Sequence, residues 1–283
     1  MADTVFLNGD FIAKDSAKVS VLDRGFLFGD AIYEVIPVYA SSLFRLDQHL
    51  DRLEYCLAQI KLHNPFSRAE WQSLMQQIID KNGGGHLSIY LQVTRGADPE
   101  RNHVSEHSTQ PTVLIMPMPL STSVAELSPI KVALIEDFRW QHCDIKTTSL
   151  LGNILLRNQA AQAGFDEAIL CRDNIITEAS SSNVFMVKQG VIYTPPKSHH
   201  ILAGITRDLI VELAENASIK VTQKEFTAQD LLSADEVWLS SSSREISPVV
   251  TIDDKMVNQG GIGPVSKAIH QHFQQFKNSL LSA

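Results

Sequence analysis

The spacing of apolar residues changes period along the chain, and each change marks an element. Val5-Phe6-Leu7 and Phe11-Ile12-Ala13 flank Asn8-Gly9-Asp10. That pattern predicts a β-hairpin, because Asn and Gly both tolerate φ > 0 in a tight turn. Ala31 to Tyr39 is rich in β-branched and aromatic residues and predicts a strand. Leu46, Leu50, Leu53, Leu57 and Ile60 recur at helical spacing, giving an amphipathic helix over 46–60. Ser67 with Glu70 forms a capping box for a second helix, whose apolar face is Trp71, Leu74, Met75, Ile78 and Ile79. Gly83-Gly84-Gly85 lacks the Gly-Lys-Ser/Thr ending of a nucleotide loop and reads as a flexible turn. Leu87, Ile89, Leu91 and Val93 alternate with polar residues, as in a half-buried strand that ends near Arg95, and Thr112–Met116 is another strand.

Pro117-Met118-Pro119 and the polar run after it break this pattern, so a linker is expected over about 117–124. It would separate an N-terminal domain, 1–118, from a larger C-terminal domain, 124–283. The second half opens with a strand over Ile130–Ile135 and a helix over Leu150–Ala163 closed by Gly164. Strands follow at Glu167–Arg172, Ile175–Glu178 and Asn183–Lys188. Thr206–Ser218 is expected to be a helix entered from Gly204, with Val237–Ser240 a short strand. Val265, Ile269, Phe273 and Phe276 predict a closing helix. Helices and strands are interspersed in both halves, so the class is α+β or mixed α/β.

At 283 residues, 44% apolar and 20% charged, the chain has the balance of a globular protein with a large core. A net charge of −8 argues against nucleic acid or an anionic membrane surface as the main partner. Cys56, Cys143 and Cys171 are odd in number and far apart, which fits a reducing compartment without a disulfide framework or zinc ribbon. The first ten residues carry Asp3, Asn8 and Asp10 and do not resemble a signal peptide, and no run approaches the roughly 20 apolar residues of a membrane span. A cytoplasmic protein is expected.

Three segments carry candidate chemistry. Gly204-Ile205-Thr206 leads into a helix with Thr206 as its expected N-cap, and helix N-termini bind phosphate through free N–H groups. Taken alone, this reads first as an ordinary capped helix. Lys146 follows an apolar residue and precedes a helix expected to be largely buried; a desolvated lysine is a nucleophilic amine suited to Schiff-base chemistry, although an isolated lysine is most often a surface charge. Glu178 stands at the expected end of a strand, before Ser180-Ser181-Ser182. It reads either as part of a polar turn or as a carboxylate able to keep a cofactor pyridine protonated. Ser240-Ser241-Ser242-Ser243 is a second serine run whose hydroxyls and amides suit an anion. His199-His200 reads as a loop, since adjacent histidines do not face one metal and no partner has suitable spacing, so no metal site is expected.

These segments fall within a longer set: Asp23-Arg24-Gly25 with Phe28-Gly29-Asp30, His49-Leu50-Asp51-Arg52-Leu53, Lys146, and Glu178 with Ser181-Ser182-Asn183. Leu202-Ala203-Gly204-Ile205-Thr206-Arg207 and Ser242-Ser243-Arg244-Glu245-Ile246 complete it. In this the chain resembles, almost end to end, the class IV aminotransferases, enzymes of fold type IV that use pyridoxal 5′-phosphate (PLP). The resemblance implies a two-domain fold with the smaller domain first, and at least a homodimer with its active site at the interface. It implies that Lys146 is the Schiff-base lysine and proton shuttle and that Glu178 pairs with the pyridine nitrogen. Arg52, Ile205, Thr206 and Ser242 would hold the phosphate, Ile205 through its backbone, and Leu202 would pack on the ring. His49 would support Arg52 or the core.

Within the family, the loop Arg95-Gly96-Ala97-Asp98-Pro99-Glu100-Arg101-Asn102-His103 is similar to that of D-amino-acid aminotransferases. There an Arg-x-His pair, helped by a tyrosine, clamps the substrate carboxylate from across the dimer interface. The matching residues are Arg101, His103 and Tyr33, and a planar guanidinium suits bidentate carboxylate binding. Two features depart from that pattern. The spacing from Arg95 to Arg101 is one residue longer, and Pro37 stands where a lysine is expected. Branched-chain aminotransferases have an arginine near the Pro37 position and lack the Arg-x-His loop. Aminodeoxychorismate lyases tend to have threonines where Glu34 and Val35 stand. The implied activity is amino transfer between a D-amino acid such as D-alanine and a 2-oxo acid such as 2-oxoglutarate or pyruvate. The alternatives are the lyase, the branched-chain enzyme and a PLP-binding protein without activity.

Overall fold

The computed structural model describes residues 3–105, 110–120 and 126–281. The chain divides into two compact units, Met1–Ser121 with Ile145–Leu150, and Thr122–Asp144 with Leu151–Ala283.

The first unit is an antiparallel sheet covered by helices. The hairpin of β1 (Thr4–Leu7) and β2 (Asp10–Ala13) turns through Asn8 and Gly9, both with φ > 0 (52° and 107°), so the Asn-Gly signal had its expected effect. After the short α1 (Arg24–Phe28) come β3 (Ala31–Tyr39) and β4 (Ser42–Leu43), then α2 (Leu46–Gln59), α3 (Arg68–Lys81), β5 (Leu87–Thr94) and β6 (Thr112–Pro119). The strand order is β2-β1-β6-β5-β3-β4. Leu50, Leu53 and Leu57 of α2 and Trp71, Met75, Ile78 and Ile79 of α3 pack with Ile36, Ile89, Leu91 and Ile115 of the sheet. Both halves of the Ser67/Glu70 capping box form.

Two expectations change here. β5 lies between β3 and β6, so Ser88 and Thr94 are buried along with its apolar residues and the strand is not half-buried. Pro117 and Pro119 belong to β6, opposite Ile89 and Leu87 of β5. β1 pairs with β6 only at Leu114 and Ile115, so beyond that point β6 is an edge, where proline's missing donor is tolerated. The rest of the expected linker, residues 121–124, lies outside the described residues.

The second unit holds a nine-stranded mixed sheet. It runs from β7 (Ile130–Glu136) and α4 (Leu151–Gln162) through β8 (Glu167–Arg172), β9 (Ile175–Ala179), β10 (Asn183–Lys188) and β11 (Val191–Thr194). α5 (Ile205–Asn216), β12 (Val221–Gln223), α6 (Ala228–Leu232), β13 (Glu236–Ser241), β14 (Glu245–Ile252), β15 (Lys255–Met256) and α7 (Pro264–Leu281) follow. The order is β12-β11-β10-β13-β14-β7-β8-β9, with β15 paired to β14. The pairs β7/β8, β7/β14 and β11/β12 are parallel, the others antiparallel.

α4 buries only Leu156 and Ala160 and exposes Leu151, Ile154 and Leu155, so the helix after Lys146 is not largely buried within the chain. β14 carries Pro248 and escapes a pattern reading. Its pairing with β7 starts at Val249, one residue later, so the strand accommodates the proline.

Candidate active site

In the first unit the segment 145–150 is laid along β3. The amide of Tyr33 donates to the carbonyl of Lys146 at 3.0 Å, and that of Thr148 donates to Ala31 at 3.1 Å. β4 pairs with β3 only at Val38 and Tyr39, which leaves the start of β3 an open edge for this segment. The Lys146 amide donates to Cys56 Sγ at 3.3 Å, and Nζ stands 4.1 Å from the centroid of the Tyr33 ring, a cation–π distance. Lys146 is half-buried. Burial pushes the Cys56 thiol up to about 11, so it stays protonated.

Next to Tyr33 along β3 is Glu34, buried under α2. Arg52 grips it through Nε at 2.6 Å and Nη2 at 2.7 Å, and His49 Nδ1 lies 2.8 Å from Oε2. A carboxylate only accepts, so His49 carries its proton on Nδ1. Burial opposes charge on Glu34, but the charge and hydrogen bonds of Arg52 and the bond from His49 outweigh it and hold the carboxyl well below its usual range. Burial pushes His49 down, toward the neutral ring, although Glu34 pulls it back. His49 is buried and shares the Glu34 carboxylate with Arg52, as a residue supporting Arg52 or the core should be, and the sequence gave no sign that Glu34 would join the two.

The loop after β5 presents Arg101 and His103 to solvent. The Arg101 guanidinium carbon is 4.9 Å from the centroid of the Phe28 ring, and the His103 ring is 5.3 Å from it.

In the second unit Glu178 is buried within β9 rather than in a polar turn. Its Oε1 accepts from Arg139 Nη1 at 2.8 Å, and its Oε2 accepts from the Leu202 amide at 3.0 Å and from Asn183 Nδ2 at 3.4 Å. Arg139 is itself held by Asp137 through Nε and Nη2 at 3.0 and 2.9 Å. Burial raises Glu178, and the Arg139 charge opposes the rise. Asp137 and Arg139 were not singled out in the sequence, since two polar residues just past a strand look like any loop.

Asn183 also donates to the Leu202 carbonyl at 2.8 Å and pairs across the sheet with Ser240. The end of β13 and the entry to α5 therefore meet around one asparagine. Gly204, not Thr206, is the N-cap of α5, and no side chain caps that end. Ile205 and Thr206 are buried in its first turn. Ser242 is half-buried in the turn after β13, and Ser240 Oγ is a buried hydroxyl without a partner among the described residues. An uncapped helix N-terminus with a threonine in its first turn is a donor set for a phosphate. Among the described residues no cluster suits a metal ion.

Residues 31–252 match the model of the amino-transferase class IV family. The chain belongs to the class IV aminotransferases. It is 38% identical to the D-alanine aminotransferase of Bacillus licheniformis over 98% of this chain and 97% of that one. It is 37% identical to the D-alanine aminotransferase of Staphylococcus haemolyticus over 97% and 98% of the two chains. In structure it is similar to the branched-chain amino acid aminotransferase of Escherichia coli, with a TM-score of 0.91 and 28% identity over 97% of this chain and 94% of the other. Class IV aminotransferases are PLP enzymes. The residues present fit that cofactor: a lysine amine, a buried carboxylate with every donor directed at its charged form, and a helix end without a cap.

Proposed function

We propose that this aminotransferase moves the amino group of a D-amino acid, such as D-alanine, to a 2-oxo acid such as 2-oxoglutarate or pyruvate. The observation that carries the reading is the Arg101–His103 loop, with both side chains exposed and set against the one Phe28 ring. The identity to D-alanine aminotransferases over nearly the whole chain supports it. The buried Glu34 supports it against the lyase alternative, whose members tend to have threonine there.

When bound, PLP supplies an aldehyde that captures amines and a pyridinium ring that accepts the electron pair left at Cα. Lys146 would hold the cofactor through its amine, and its Nζ would move the proton of the substrate Cα. Glu178, held by Arg139, would pair with the ring nitrogen and keep it protonated. The amides at Ile205 and Thr206, with the hydroxyls of Thr206 and Ser242, hold the phosphate. Arg52 contributes charge to that end, with Glu34 fixing its fork, and Leu202 packs on the ring. Tyr33, Arg101 and His103 grip the substrate carboxylate, which decides which face of Cα meets Lys146.

In this reading the protein works as a cytoplasmic homodimer, with Arg101 and His103 serving the partner's site. Phe138, Trp140, Leu151, Ile154 and Leu155 are large exposed apolar side chains, a support for self-association. Three free, buried cysteines accord with a reducing location.

The test is a panel of D- and L-amino acids with 2-oxoglutarate and with pyruvate. D-alanine should be consumed with ping-pong kinetics, and Arg101→Ala should lower kcat/KM. Pyruvate release from an aminated chorismate without an acceptor would make the chain a lyase, and preference for L-leucine would make it a branched-chain enzyme. Borohydride should fix the cofactor to the peptide containing Lys146.

A further inference from the structure

We infer that Arg24 is a positioning residue for substrate, one that pins the main chain of the Arg101–His103 loop and so sets where the carboxylate grip stands. This inference rests on the carboxylate-binding role proposed for that loop.

Arg24, in the first turn of α1, is buried although charged. Its guanidinium reaches four acceptors. Nε donates to Asp30 Oδ2 at 3.0 Å, Nη1 to Asp98 Oδ2 at 2.9 Å and to the Asn102 carbonyl at 2.6 Å, and Nη2 to the His103 carbonyl at 2.9 Å. The two carbonyls lie on either side of His103, so one rigid fork fixes the backbone that carries this residue of the grip and, through Asn102, ties down the chain just after Arg101. Lysine, a single point donor, cannot reproduce that geometry.

The support around Arg24 is itself tied down. Asp98 Oδ1 accepts from Ser105 Oγ at 3.1 Å, and Asp30 accepts from Arg95 through two further bonds. The same α1 helix contributes Phe28, whose ring carries Arg24, Arg101 and His103 at 5.0, 4.9 and 5.3 Å. α1 thus positions the loop through its guanidinium and its aromatic ring together.

The loop is anchored at both ends. The backbone is pinned at Gly96, whose carbonyl accepts from the Arg24 amide at 2.8 Å, and at Ala97, bridged to Asp23. It is pinned again at Asn102 and His103. Arg101 therefore lies between two anchored stretches of main chain.

The experiment compares Arg24→Lys, Arg101→Ala and the double variant, with cofactor absorbance and circular dichroism as checks on the fold. Arg24→Lys should raise KM for D-alanine about tenfold, with kcat within about twofold and cofactor content unchanged, the split expected for lost uniform binding. In the Arg101→Ala background, adding Arg24→Lys should raise KM little further, because both changes act on one grip. Asp98→Asn should move KM in the same direction and carries the test if Arg24→Lys does not fold. An unchanged KM in Arg24→Lys, or fully additive effects in the double variant, overturns the inference while leaving the grip intact. An unchanged KM in Arg101→Ala removes the grip itself, and the role of Arg24 with it.

Discussion

Arg139 donates from Nη1 to Oε1 of Glu178 at 2.8 Å, and both side chains are buried. A permanently charged guanidinium in that position favours the ionised carboxylate, the form that the proposed pairing with a protonated ring nitrogen requires.

Arg139→Met removes that support. Burial already raises Glu178, with Arg139 opposing it, so the substitution lets the group rise further. The working ionised form is then lost at a higher pH as pH falls. The acidic limb of kcat/KM should move up by at least about one unit, read from a pH–rate profile. An unmoved limb would remove Arg139 from any electrostatic role.

Glu34→Gln tests the buried cluster on α2. Glu34 titrates below its usual range in the folded protein, so its contribution is present above an unfolded value of about 4.3 and fades as pH falls through that range. Leaving Arg52 without its partner should cost about 3 kcal/mol at neutral pH. The gap between variant and parent in urea unfolding should narrow toward pH 3. A gap that stays constant across that range would contradict this account.

Gly204→Ala tests the entry to α5. An added Cβ would fall 2.0 Å from Asn183 Oδ1. Asn183 would have to move, and it holds both the Leu202 carbonyl and Glu178. Cofactor affinity should drop about tenfold, roughly 1.4 kcal/mol, measured by titrating the apo-protein with PLP. Full affinity would mean that Asn183 yields without consequence.

Leu155→Arg places a charge on the exposed apolar face of α4 that Leu151 and Ile154 share. Sedimentation should show a shift toward monomer, accompanied by loss of activity, since the partner supplies Arg101 and His103 in the proposed assembly. A fully active monomer would count against the shared site.

What the sequence decided by itself was local. The Asn8-Gly9 turn, the leucine ladder of α2 and the capping box at Ser67 depend on neighbours a few residues away, where φ preferences and helical spacing act directly. Recognition of Lys146 and Glu178 needed the longer set of motifs, because one lysine and one glutamate carry no signal alone. Tertiary structure decided the partners. Glu34 with Arg52, Glu178 with Arg139 and Arg24 with Asp98 join residues 18, 39 and 74 positions apart. An ion pair across such a separation leaves no period in the chain, and only folding brings the two charges within reach. It also made β14 a strand despite Pro248, and turned part of an expected linker into the edge of β6, because a missing donor matters only where a neighbouring strand asks for it.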